Sequence, residues 1–186
     1  THIDIGGGLG IRYDDEHIPS PKHLISAVQD QLGDLAMELL IEPGRSIVGN
    51  AGALLTEVMV IKAGETKHFA VVDAAMNDLL RPALYSAWQN IVEVETREGD
   101  PTTYDVVGPV CETGDFLGKD RRLTLAEGDL LAVMGSGAYS FAMSSNYNTR
   151  PRAPEILVSS GTAHVIRERE QLEDLWASER LPEHLV

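Results

Sequence analysis

Apolar positions along the chain change rhythm near Gly49. Before it, "HIDI" runs into "GGGLG", a strand entering a glycine loop. In "PSPKHLISAVQDQLG", Leu24, Val28 and Leu32 recur at i, i+4 and i+8 with Ile25 beside them, which predicts a helix with one apolar face. Ser20 suits its N-cap, Pro21 its first turn and Gly33 its stop. "MELLIEPGR" is a short apolar run closed by Pro-Gly, as expected of a buried parallel strand. Strand, loop, helix and strand make one βαβ unit, whose sites are expected at the C-terminal ends of its strands.

After Gly49 the apolar residues come in strand-length bursts: "TEVMVIKAGETKHFAVVDA", "NIVEVETR", "YDVVGPV", "RRLTLAEGDLLAVMG", "PEILVS" and "AHVIRE". Their regular spacing predicts an antiparallel barrel or sandwich, with "KAGETKH" and "AEGD" as hairpin-like connections. "MNDLLRPALY" reads as a helical turn broken at Pro82, "AYSFAMSSNYN" as a short helix and "EREQLEDLWASE" as a terminal helix. The fold class is therefore α/β over residues 1–48, followed by an all-β domain over 49–186.

Composition narrows the partners. With 15 basic and 29 acidic residues the formal charge is −14, which argues against nucleic acid and anionic membranes. A small anionic ligand stays possible, because a few Arg and N–H groups reverse the field locally. One cysteine excludes an intrachain disulfide framework and fits a reducing, cytoplasmic setting. "THIDIGGGLG" has neither the basic nor the apolar segment of a signal peptide and no initiator Met, and reads as part of a longer protein.

Gly6, Gly7 and Gly8 follow a strand, where bare backbone can approach an anion and point N–H groups at it; a tight barrel loop would use the same glycines. "EPGR" closes the next strand: Gly44 offers an N–H and Arg45 a bidentate guanidinium. Two such loops on one rim favour a phosphate site. "CETGD" holds the single cysteine, Cys111, next to Glu112. A buried cysteine at a strand end is the plain alternative.

Taken in order, "DIGGGLGI", "EPGRSIV", "LLRPALY", "GPVCETGD" and "GSGAYSFAMSSNYN" resemble the diaminopimelate decarboxylases, among the pyridoxal-phosphate enzymes that share the alanine-racemase-like fold. The likeness runs through nearly the whole chain and thins after about Glu170. It implies the last strands of a (β/α)8 barrel followed by a Greek-key-like antiparallel domain, and decarboxylation of meso-2,6-diaminopimelate to L-lysine and CO2. It places the cofactor phosphate at Gly8 and its neighbours Gly6 and Gly7, with Pro43, Gly44 and Arg45 closing that site. Glu42 would face the pyridine nitrogen and keep the ring protonated, and Tyr139 would lie near phosphate and substrate. The distal carboxylate of the substrate would meet Arg81 with Arg45, Tyr85 would lie beside Arg81, and Glu112 would meet the distal ammonium. Cys111 would be the catalytic proton donor to the α-carbon, reaching in from the second subunit of a homodimer with shared sites. Arg81 and Tyr85 stand four apart, on one face of a helix. Asp73, His2, His68 and His164 are left unassigned, without the spacing of metal ligands.

The resemblance also implies a lysine that tethers the cofactor on an early barrel strand. Lys22, Lys62, Lys67 and Lys119 are the only lysines here, and none has that context. The chain is thus expected to be the C-terminal part of such an enzyme, inactive alone. The competing readings are a decarboxylase of ornithine, arginine or a carboxylated polyamine, and a silent binding fragment.

Overall fold

The computed structural model describes residues 1–185. Strand β1 (His2–Asp4) and strand β2 (Glu38–Leu40) pair in parallel, with Ile3 opposite Leu39. Helix α1 (Pro21–Leu32) connects them, giving the expected βαβ unit. Its boundaries follow from local chemistry: Ser20 Oγ accepts the His23 N–H at 3.2 Å, Pro21 occupies the first turn, and Gly33 leaves the helix at φ 56°. A sheet of two strands cannot cover its own faces, so Met37, Leu40 and Ile41 remain exposed. The short helix α2 (Arg45–Val48) follows β2 directly.

Residues beyond Gly52 build a six-stranded mixed sheet: β3 (Leu54–Ala63), β4 (His68–Val72), β5 (Ile91–Glu93), β6 (Thr102–Val107), β7 (Phe116–Leu123) and β8 (Leu130–Val133), in the order β5-β8-β3-β4-β6-β7. Its edges bend back toward each other. The Thr124 N–H donates to the Glu93 carboxylate at 2.8 Å, and Ile91 Cδ1 would lie 2.8 Å from a Cβ at Gly118. The sheet is nearly closed, which hides strand edges that would otherwise stay unpaired. Inside lie Val58, Val72, Leu79, Val106, Leu117, Leu131 and Val133, all fully buried. Each such side chain contributes roughly 1.5–3 kcal/mol of transfer free energy.

The structure corrects four expectations. The sheet is not purely antiparallel: β4 and β6 run parallel, with His68 opposite Tyr104. The long connection through Asp73–Pro101, which carries α3 (Arg81–Tyr85) and β5, returns the chain to the starting end and so permits it. "AEGD" is a corner, not a hairpin, because β8 pairs with β3 and β5 and not with β7. Pro82 does not break a helix; it sits in the first turn of α3, where its missing N–H costs nothing. "AYSFAMSSNYN" and "EREQLEDLWASE" form no α-helix, only the 3-10 turns Phe141–Met143, Tyr147–Thr149 and Leu172–Leu175. Leu172 and Trp176 are exposed there, so no buried apolar face supports a longer helix. Strands β9 (Glu155–Ser159) and β10 (Thr162–Arg167) make a separate hairpin, turning at Ser160 (φ 49°) and Gly161 (φ 77°).

Candidate active site

The two rim loops are tied together by backbone. The Glu42 N–H donates to Gly6 O at 2.8 Å, and a Cβ on Gly7 would lie 2.8 Å from Glu42 O. Gly6 and Gly8 take φ of 67° and 93°, with open space where a Cβ would go. There glycine is needed for conformation, at Gly7 for room. Asp4 caps the loop by accepting the Gly6 N–H at 2.7 Å. Arg45, in α2, is half-buried, and among the described residues no carboxylate pairs with it. Gly6, Gly7, Pro43 and Ser46 lie on the wall of a largely apolar cleft of about 450 Å³.

The "GSGAY" loop is clamped against α2. The Ser136 N–H donates to Gly52 O and the Gly137 N–H to Gly49 O, both at 2.9 Å. A Cβ on Gly137 would stand 1.8 Å from Val48 O, so only glycine fits this seam. From the other side, the fully buried Gln89 donates to Met134 O at 3.2 Å and Gly135 O at 3.3 Å. This seam delivers Tyr139, at φ 60°, to Arg81 of α3: the guanidinium carbon lies 5.4 Å from the Tyr139 ring centre and 6.0 Å from that of Tyr85. Arg81 Nε is buried without a hydrogen-bond partner. Arg81 is therefore half-buried and held by rings, and among the described residues it is not half of an ion pair.

"CETGD" is a turn entering β7, and Cys111 is exposed, which excludes the buried-cysteine alternative. The turn hangs on Asp115, only 4% exposed, which accepts the Met76 and Val110 N–H groups, each at 2.7 Å. Tyr147 donates its hydroxyl to Glu112 at 3.2 Å. That bond, then the carboxylate's charge, holds the Tyr147 phenol above its ordinary pKa. Among the described residues no hydrogen bond, ion pair or ring contact joins Cys111 or Glu112 to Arg81, Arg45 or the glycine loop.

Asp115, Tyr147 and Gln89 escaped the sequence reading. Apart from Val110, the partners of these side chains are remote in sequence, and the one local signal was an Asp and a Tyr inside segments already singled out. Asp73 is structural, accepting from Thr56 Oγ1 at 2.6 Å and the Glu57 N–H at 2.9 Å. His68 sets its ring edge against Tyr104, His2 lies 3.7 Å from Glu38, and His164 is on β10. Lys67 pairs with Asp105 at 2.6 Å, Lys119 lies over the Phe116 ring, Lys62 is on β3 and Lys22 is in the first turn of α1.

A βαβ unit with a glycine rim, followed by a nearly closed mixed sheet that carries a stacked arginine and an exposed Cys-Glu turn, defines a class. The chain belongs to the pyridoxal-dependent decarboxylases, whose C-terminal sheet domain it matches over residues 12–137. Among curated relatives, it is 57% identical to the diaminopimelate decarboxylase of Vibrio cholerae, over 98% of this chain and 44% of that protein. It is also 57% identical to that of Pseudomonas aeruginosa, over 97% and 43%. The diaminopimelate decarboxylase of M. jannaschii superposes with a TM-score of 0.92 at 38% identity, over 98% of this chain and 44% of that one. That of Helicobacter pylori complexed with L-lysine gives 0.87 at 41%, over 94% and 43%. The chain spans less than half the length of these relatives.

Proposed function

We propose that this chain is the C-terminal part of a cytoplasmic homodimeric decarboxylase that converts meso-2,6-diaminopimelate to L-lysine and CO2. Residues 1–48 would complete a barrel and 49–186 form the sheet domain. The observation that carries the substrate assignment is Arg81, a cation stacked on Tyr85 and Tyr139 with its Nε buried and unpartnered. A half-buried guanidinium that two rings hold in place, with no carboxylate partner among the described residues, suits a carboxylate held at fixed distance. Diaminopimelate carries one on its distal head; ornithine and arginine do not.

Pyridoxal phosphate fits the rim. The backbone at Gly6–Gly8 is bare, two of its three glycines face open space, and among the described residues Arg45 has no carboxylate partner to release first. When bound, the cofactor supplies an electron sink for the pair left as CO2 departs. Gly6, Gly7 and Gly8, with Pro43, Gly44 and Arg45, hold the phosphate. Glu42 keeps the ring nitrogen protonated, and Tyr139 borders the phosphate. Arg81 with Arg45 takes the distal carboxylate, and Glu112 takes the distal ammonium. Cys111 delivers its S–H proton to the α-carbon in the neighbouring subunit's site; Cys111 is exposed, as that requires. The lysine that tethers the cofactor belongs to the part of the enzyme outside this chain.

The test is direct. The full-length protein is expected to release one lysine and one CO2 per diaminopimelate. Removing a charge contact in a desolvated site costs roughly 2–5 kcal/mol, so Arg81→Ala should lower kcat/KM by that amount and abolish the preference for diaminopimelate over lysine as a competing ligand. No conversion, or an unchanged preference in Arg81→Ala, would overturn the assignment.

A further inference from the structure

We propose that Tyr147 is the positioning residue for Glu112: its hydroxyl holds one carboxylate oxygen so that the other is aimed at the distal ammonium of the substrate. The inference rests on the reading of Glu112 given above. Glu112 is exposed, and among the described residues the only other hydrogen bond to its carboxylate comes from the Gly114 N–H at a long 3.4 Å. A free glutamate there would sample many rotamers, and a charge that wanders discriminates poorly.

Tyr147 is exposed as well, but the backbone segment that carries it is fixed by its surroundings. Arg150 donates to Asn77 Oδ1 at 2.9 Å and to Asp73 O at 2.6 Å. Asn77 in turn receives the Ser145 N–H at 3.0 Å and donates to Ser145 O at 3.2 Å. Ser145 Oγ accepts the Tyr147 N–H at 3.3 Å, and Asn146 donates to Glu170 at 2.6 Å. The two residues after Tyr147, Asn148 and Thr149, take φ of 57° and 56°. The left-handed region is unfavourable for a β-branched residue such as Thr149 and persists only where the surroundings enforce it. Met76, Asn77, Leu80 and Ser145 share a shallow pocket with the Tyr147 ring, and Met76 is the residue whose N–H Asp115 holds. The Glu112 turn and the Tyr147 segment are thus both referred to the same loop, Asp73–Asp78.

The test uses the full-length decarboxylase and a double-mutant cycle. Tyr147→Phe keeps the ring and removes only the hydroxyl. It should raise KM for diaminopimelate roughly three- to ten-fold, the worth of one ordinary hydrogen bond, because solvent at this exposed pair weakens the bond to the charge, with kcat changed less than about two-fold. In a Glu112→Ala background the same substitution should do nothing further, because the group it positions is gone. The phenol itself gives a second readout. Its titration, followed by ultraviolet difference spectra of wild type against Tyr147→Phe, should move down toward ordinary tyrosine in Glu112→Ala. A Tyr147→Phe effect that persists in Glu112→Ala, or an unchanged KM in Tyr147→Phe, overturns the inference while leaving Glu112 as the substrate's acid. An unchanged KM in Glu112→Ala overturns that underlying reading instead.

Discussion

Asp115→Ala should loosen the whole Cys-Glu turn without touching Cys111 or Glu112. The carboxylate is 4% exposed and accepts two backbone N–H groups, from Met76 and Val110, at 2.7 Å each. Hydrogen bonds to a charged acceptor are worth roughly 1.5–3 kcal/mol apiece, and the alanine leaves both donors without a replacement. The expected loss is therefore about 3–6 kcal/mol. Asp115→Asn is the sharper case. Its amide offers one acceptor and one donor, so one N–H keeps its partner while the other faces an NH2 group. It should lose at least half as much, despite near-identical shape. Urea unfolding of the full-length protein measures the energies. Hydrogen exchange at the Met76 and Val110 amides locates them: both should speed up in Asp115→Ala, and one of the two in Asp115→Asn. If Asp115→Asn unfolds within about 0.5 kcal/mol of wild type with both amides still protected, the bonding scheme is wrong.

Two further outcomes are expected. A Cys111→Ala full-length subunit mixed with one lacking the cofactor lysine should recover up to about a quarter of wild-type activity, because half of the randomly formed dimers carry one intact site each; no recovery with heterodimers present would confine Cys111 to its own chain's site. Burial acting alone would raise the Asp105 pKa, but the Lys67 ammonium and the Asp120 N–H outweigh it and hold the pKa below the ordinary value. Its stabilising contribution is then complete above the unfolded carboxylate's pKa, about 4, and is lost as pH falls through the lower folded value; urea midpoints between pH 6 and 3 should fall more steeply for wild type than for Asp105→Asn, and parallel curves would refute it.

Several local readings hold in the structure, while the two segments read as helices near the C-terminus form only 3-10 turns. The Ser20 cap, the Pro21 start and the Gly33 exit depend only on neighbours within a turn. Strand positions followed from apolar bursts, and Arg81 meets Tyr85 as four-residue spacing on a helix requires. What stayed hidden depends on closure. The parallel pairing of β4 with β6 is decided by where a long connection ends, and "AEGD" becomes a corner only because β8 finds β3. Asp115, through the Met76 N–H, and Gln89 act on backbone groups of distant segments, and such groups carry no mark in a sequence. Pro82 misled because proline both ends and begins helices, and the choice lies in the fold around it.

The seam at Gly137 has a consequence in time. Gly49 and Gly52 leave the ribosome before their carbonyls have partners, because Ser136 and Gly137 are made on the order of ten seconds later at common synthesis rates. Contacts between such distant segments form late, because the intervening chain must first be ordered. Until then Tyr139 has no fixed place and Arg81 lacks one of its two rings. The placing of Arg81 between its two rings is therefore among the last arrangements this chain acquires as it folds, and the proposed substrate site is completed only with it.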